Sequence, residues 1–250
     1  MKYLFLFLLL GLTSVVNAQT ETAKQPNCED IDGFQTAYLR SVPEDYSGTV
    51  FACTDGKVWR AGQYKDGKLD GISRGWDKNG QLRYEANYIN GKEDGLHSSW
   101  HLYGQLMSEG NFKEGKEDGL FREWHSNGQL RSEINYKDGV LDGLYREWHE
   151  NGQLESEDNY KDGMIDGWQR YYSENGTLLG EANLIDGNGK LSVKYENGQL
   201  RREKNYKDGA GDGLMRYWYE NGQLHIEQYW KDGVFLSKKC WDEDGNEIEC

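Results

Sequence analysis

The sequence predicts an all-β fold, an elongated antiparallel sheet of about nine tandem β-hairpin repeats of 24 residues. Three observations carry this. Gly56, Gly80, Gly104, Gly128, Gly152 and Gly176 recur every 24 residues, and Gly198, Gly222 and Gly245 continue the series at spacings of 22, 24 and 23. Asn-Gly and Asp-Gly pairs separate short runs of strand-forming residues, the strongest short-range hairpin signal. The only prolines, Pro26 and Pro43, precede the repeats, so no strand of the array loses a ladder donor.

The chain opens on a secretory signal. Residues 1–18 combine Lys2, an apolar stretch from Tyr3 to Leu12, and Val16 and Ala18 placed as the small residues of a cleavage site. The apolar run is too short for a spanning helix, which needs about 20 residues. Residues 19–50 form an N-terminal arm, and residues 51–250 the array. Export suits four cysteines, because an oxidising compartment permits disulfides. Position favours Cys28 with Cys53 and Cys240 with Cys250, each tying down one terminus, although four cysteines allow three connectivities.

Three glycine series define the repeat. Eleven residues after the hairpin series come Gly67, Gly91, Gly115, Gly139, Gly163, Gly187, Gly209 and Gly233. Four residues later come Gly71, Gly95, Gly119, Gly143, Gly167 and Gly213, and the three series hold 23 of the 32 glycines. Each unit is therefore a hairpin and a return turn. The unit at Asp186 to Lys190 is two residues short in its return turn, where a deletion is expected to be tolerated.

Columns within the repeat assign structural roles. Four residues before the hairpin glycine stand Trp76, Trp100, Trp124, Trp148, Tyr172, Trp218 and Trp241, and two after it stand Leu82, Leu106, Leu130, Leu154, Leu178, Leu200 and Leu224. Six before are Arg74, Arg122, Arg146, Arg170 and Arg216; five after are Glu85, Glu109, Glu133, Glu157, Glu181, Glu203 and Glu227. A two-residue turn pairs Arg146 with Glu157 but puts Trp148 and Leu154 on opposite faces, and a three-residue turn does the reverse. One bulge three to four residues after the glycine satisfies both pairings. Asn87, Asn111, Asn135, Asn159, Asn183 and Asn205 then join the same face.

Chemistry-bearing patterns are weak. The Arg and Glu columns recur in register as cross-strand ion pairs do, whereas catalysis requires one distinctive constellation. His101, His125 and His149 share a column, but strands of neighbouring repeats are about 9.6 Å apart, too far to share an ion held at about 2.0–2.1 Å. Gly71 to Gly75 reads GISRG, yet lacks the strand-to-helix turn and histidine of a nucleophile elbow. Paired acids in the return turns, such as Asp138 with Asp142 and Asp162 with Asp166, suit turn bonding as well as calcium. No cofactor, metal site or catalytic residue is assigned.

The pattern YKDGxxDGLxxxWxxNGQL, carried by Tyr136 to Leu154 and with substitutions by Tyr160 to Leu178, resembles the bacterial variant of the MORN repeat found in YwqK-type antitoxin proteins. The resemblance covers about Phe51 to Cys250. It implies an elongated sheet of successive hairpins serving as an interaction scaffold with an antitoxin-like role.

A net charge of -14 disfavours nucleic acid and anionic lipid, which are bound through clustered Lys and Arg. The expected function is a secreted or periplasmic, non-enzymatic scaffold that binds another protein. Its candidate face is Phe121, Glu123, His125, Tyr145, Glu147, His149, Tyr171 and Ser173, which alternate with the constant columns. Glycan or cell-envelope binding through Trp124 and Trp148 is the alternative, and lipid association a third that only the resemblance implies.

Overall fold

The computed structural model describes residues 25–30, 34–36 and 42–250. The expected signal peptide and much of the arm lie outside the described residues. Thirteen strands, from Phe34–Thr36 to Leu178–Leu184, form one sheet in sequence order, and seven more, from Gly189–Lys194 to Glu247–Ile248, form a second. All pairings are antiparallel except that of Phe34–Thr36 with Gly48–Thr54.

Return turns follow the expected mirror-image geometry. Between Leu130–Lys137 and Val140–Trp148 only Asp138 and Gly139 intervene, with φ of 52° and 81°. Both residues turn left-handed, which matches the strand twist. The Asn-Gly loops take the three-residue geometry weighed for them, followed by the expected bulge. Five residues link Trp148 to Leu154, and of them only Gly152 has positive φ (84°). The Asn151 side chain explains this, because its Oδ1 accepts the Gln153 amide at 2.9 Å while His149 N–H donates to Gln153 O. Gly56 also departs from its column: with Asp55 it makes a two-residue turn of the return type.

Register follows from two irregularities per repeat. Trp148 opposes Leu154, Glu147 opposes Ser156 and Arg146 opposes Glu157, so Glu155, three residues after the glycine, is the extra residue of a bulge. Directly opposed residues share a face. Tryptophan, Leu154, Arg146 and Glu157 therefore lie together, as the column argument requires. The second irregularity lies beyond the return turn, where Leu141 opposes Tyr136 but Tyr145 opposes Ile134. Gly143 sits in this interruption at a φ of 112°, and Asn135 Nδ2 donates to Leu144 O at 2.8 Å. Asn87, Asn159 and Asn205 do the same for Leu96, Trp168 and Leu214.

One face carries a ladder of charge. The row runs Arg74, Glu85, Ser98, Glu109, Arg122, Glu133, Arg146, Glu157, Arg170, Glu181 across the first sheet. Arg122–Glu133 close to 2.8 Å and Arg146–Glu157 to 2.7 Å, while Arg170 reaches both Glu157 and Glu181. These groups are partly exposed, so each pair contributes about 0.2–1 kcal/mol.

Turns on both edges are bonded to the turns of adjacent repeats. On the return edge Gly139 N–H donates to Glu117 O and Asp138 N–H to Asp118 Oδ2; Gly163 and Asp162 repeat this on Leu141 and Asp142. On the hairpin edge Asn127 Nδ2 donates to Glu150 O at 2.8 Å and Asn151 Nδ2 to Glu174 O at 2.7 Å.

The ends are closed differently from the middle. Disulfides join Cys28 to Cys53 and Cys240 to Cys250. Cys28 N–H bonds Gly56 O, and Gln25 Nε2 bonds Val58 O, laying this part of the arm on the first hairpins. Beside it Trp76 and Trp100 are only 8% and 7% exposed, whereas Trp124, Trp148 and Trp218 are half-buried.

The shortened repeat interrupts the ladder, which the turn-deletion argument did not anticipate. The turn survives, with Gly187 N–H on Asp166 and Gly209 N–H on Gly187 O. Leu178–Leu184 and Gly189–Lys194, however, belong to different sheets. They meet by packing: Ala182, Leu184, Leu191 and Val193 form a buried cluster, and Gly180 lies so close to Ser192 and Val193 that a Cβ there would overlap their backbone. Two missing residues remove the second irregularity, and Ser192 stands in the Arg column opposite Glu203, so Glu181 meets no arginine from the next hairpin.

Asn151→Ala removes two hydrogen bonds, one within its loop and one to the next. It is expected to lower stability by about 1–2 kcal/mol in urea unfolding, against almost no change for Ser126→Ala.

Candidate functional site

The variable face has two rows. Phe121, Ile134, Tyr145, Asp158, Gln169 and Ala182 oppose one another in turn; beside them run Glu123, Ser132, Glu147, Ser156, Tyr171 and Gly180. Ser132 and Ser156 are buried, and small residues there let the aromatics pack. Phe121 meets Tyr136 edge-on at 6.3 Å, and Tyr145 lies 6.2 Å from Tyr160. Glu147 accepts bonds from Tyr145 Oη at 2.6 Å and from Ser156 Oγ at 3.2 Å.

Five of the eight candidate recognition residues, Phe121, Glu123, Tyr145, Glu147 and Tyr171, lie on this face, all half-buried. The other three do not. His125 and His149 sit in hairpin loops, where their Nε2–H donates to Trp148 O at 2.8 Å and Tyr172 O at 3.2 Å. Ser173, 6% exposed, donates to Asn175 Oδ1 within its own loop. These positions follow the strand, so alternation does not place them on a face. His101 likewise donates to Trp124 O.

Other weighed residues have structural partners. Ser73 of GISRG is fully buried and bonds Ala61 O and Tyr84 Oη. Asp142 accepts a turn amide. Among the described residues no three His, Cys, Asp or Glu are grouped as metal ligands.

The ladder break opens a cleft of about 510 Å³ between the two sheets. Tyr171, Tyr172, Leu179, Val193 and Tyr195 supply its less polar lining, and Glu147, Glu155, Glu174, Glu196, Glu220, Arg201 and Arg202 its charge. Arg202 lies 4.2 Å from the Tyr171 ring centroid and Arg201 5.7 Å from that of Tyr195. Behind Tyr171 is Asp158, 7% exposed, which accepts the Tyr171 hydroxyl at 3.2 Å. Its other oxygen and Gln169 Oε1 are buried without a hydrogen-bond partner.

Burial pushes the Asp158 carboxyl up to about 6, against the opposing pull of the Tyr171 hydrogen bond, of the neighbouring Gln169 amide and of the Arg202 charge. Burial raises Tyr171 as well, and burial followed by the Arg202 charge lowers Lys204. Column comparison contains the signal for these residues. Asp158 and Lys204 stand where other repeats have Ala86, Gly110 or Ala182, and Arg202 where they have Ser108, Ser132 or Ser156.

Residues 69–90, 117–138, 141–162, 187–208 and 211–232 match the family model described as MORN repeat variant. Five of the chain's hairpins are MORN-variant repeats. Each matched window ends on a left-handed residue of a return turn, from Asn90 to Asp232, so the family unit is one hairpin. The intervals between windows depart from the pattern: 93–114 has Ser98 and Tyr103 for Arg and Asn, and 165–186, on one side of the cleft, has Tyr172 and Thr177 for Trp and Gln. No curated protein matches the chain.

Asp158 gives the MORN array a pH signature. Its folded-state pKa is raised above the ordinary 3.8, so its stabilising contribution is complete below about pH 4 and is lost as pH rises through 6. Asp158→Asn is expected to be more stable than the parent by about 2–3 kcal/mol at pH 8, with no difference near pH 4. Urea midpoints at the two pH values measure this; equal profiles for the two chains contradict it.

Proposed function

We propose that this MORN-repeat protein is a non-enzymatic scaffold that holds another protein outside the cytoplasm. One observation carries the reading: the repeated polar residues bind the array to itself, while the residues that change from repeat to repeat occupy the variable face and the cleft. Arg146 is spent on Glu157, Asn135 on Leu144 O and His125 on Trp148 O. Phe121, Tyr145, Tyr171 and Arg202 are specific to their positions and leave ring edges and charge for a partner. Repeat arrays bind extended partners through such surfaces.

Two disulfides, which persist where the redox poise is oxidising, support this compartment, and the signal pattern read in residues 1–18 agrees with it. The antitoxin-like role implied by the resemblance is one form of this binding, and it requires the partner to be a toxin exported by the same cell. The glycan reading loses support at its central residues, because Trp124 and Trp148 are half-buried beside Leu130 and Leu154.

Affinity capture from the cell-envelope fraction tests the scaffold. The full chain is expected to retain one protein that elutes at raised salt, and Tyr145→Ala with Phe121→Ala to release it while circular dichroism stays unchanged. Retention of glycans instead, lost on Trp124→Ala with Trp148→Ala, would sink the protein-binding reading.

A further inference from the structure

The hairpin edge of the MORN array changes character along its length. Two residues before the hairpin glycine stand Lys78, Leu102 and Ser126 in the early repeats, then Glu150, Glu174, Glu196, Glu220 and Glu243 in the later ones. All five glutamates are exposed. Four of them have their backbone fixed from the preceding repeat: Asn127, Asn151, Asn197 and Asn221 donate to the carbonyls of Glu150, Glu174, Glu220 and Glu243 at 2.7–3.1 Å, whereas Asn175 Nδ2 meets the Glu196 carboxylate at 3.4 Å. Glu174, Glu196 and Glu220, the middle three, also line the cleft.

Three further facts describe what the cleft accepts. Five carboxylates meet only two guanidinium groups, and among the described residues no ion pair neutralises Glu147, Glu174, Glu196 or Glu220. The Tyr171 and Tyr195 rings already carry Arg202 and Arg201, which leaves them poor platforms for a sugar. The wall of Tyr171, Tyr172, Leu179 and Val193 suits the methylene stem of a long side chain. Surplus carboxylates beside such a wall select a cationic side chain with an alkyl stem.

We propose that the cleft and the glutamate column dock an extended basic segment of a protein partner, with one Lys or Arg side chain entering the cleft. This rests on the scaffold reading and names the chemistry of its partner. A small amine would fill the cleft but leave Glu150 and Glu243 unused, whereas a chain engages all five.

Fluorescence anisotropy on the full chain tests this with three probes: a labelled Arg-rich peptide, the same peptide with Glu for Arg, and spermidine as unlabelled competitor. The Arg peptide is expected to bind with an affinity that falls steeply with salt, and the Glu peptide not to bind. Glu174→Gln with Glu196→Gln weakens binding about tenfold or more, Glu243→Gln about two- to threefold, and Glu114→Gln on the opposite edge not at all. Circular dichroism of each variant confirms its fold. Equal loss in Glu114→Gln, or spermidine competing as well as unlabelled Arg peptide, overturns the assignment. If the Arg peptide fails to bind while envelope capture still returns a salt-eluted protein, the cleft is refuted and the scaffold stands.

Discussion

A sheet one layer thick has no opposing layer to hold it, so each MORN hairpin must be fixed by its neighbours in the same sheet. The bonds between turns of successive repeats meet this need. A typical repeat receives a turn amide on an Asp carboxylate and another on a carbonyl at the return edge, and an Asn and a His or Tyr donor at the hairpin edge. At about 1 kcal/mol apiece these rival the hydrophobic contribution of a half-buried tryptophan. They also account for the composition. Asp, Asn and Gly are abundant because turns, not a core, join the repeats.

The ladder of arginine and glutamate serves the same end on one face. Because the charges alternate across successive strands, an arginine such as Arg170 is shared by glutamates on both sides, and neighbouring hairpins are coupled without a buried ion. Where the alternation fails, coupling changes form. At Ser98 the sheet continues, since its backbone register is intact. At Ser192 the register is lost as well, and apolar packing of Leu184, Leu191 and Val193 replaces the hydrogen-bonded ladder. The cleft is the space left by that exchange.

Much of the fold was legible because the glycine columns report local backbone demands. Positive φ at Gly139 and Gly152 depends on the turn alone, and the bulge at Glu155 could be deduced because Trp148–Leu154 and Arg146–Glu157 cannot otherwise share a face. The loop at Asn151 was left between two turn geometries, because Asn-Gly is compatible with both, and its side-chain bond to the Gln153 amide selects the longer one. Bonding between turns was hidden by considering only backbone spacing, whereas Asn and His side chains reach the carbonyls of the next repeat. The cleft was harder still, since Glu147 and Arg202 meet only through a sheet break. Yet Asp158, Arg202 and Lys204 each break a column, which marks them before any coordinate is known.

The interruption at Leu184 to Gly189 also bears on how the molecule holds together under load. Both termini of the array are pinned by disulfides, and the other interior junctions among the described residues are hydrogen-bonded strand pairings, so strain along the array concentrates at the junction held by packing. Thirteen strands on one side and seven on the other can then melt or bend as separate bodies. A molecule seated across that junction touches both bodies at once. It would act as a splint, and the stiffness of the whole array would report whether it is present.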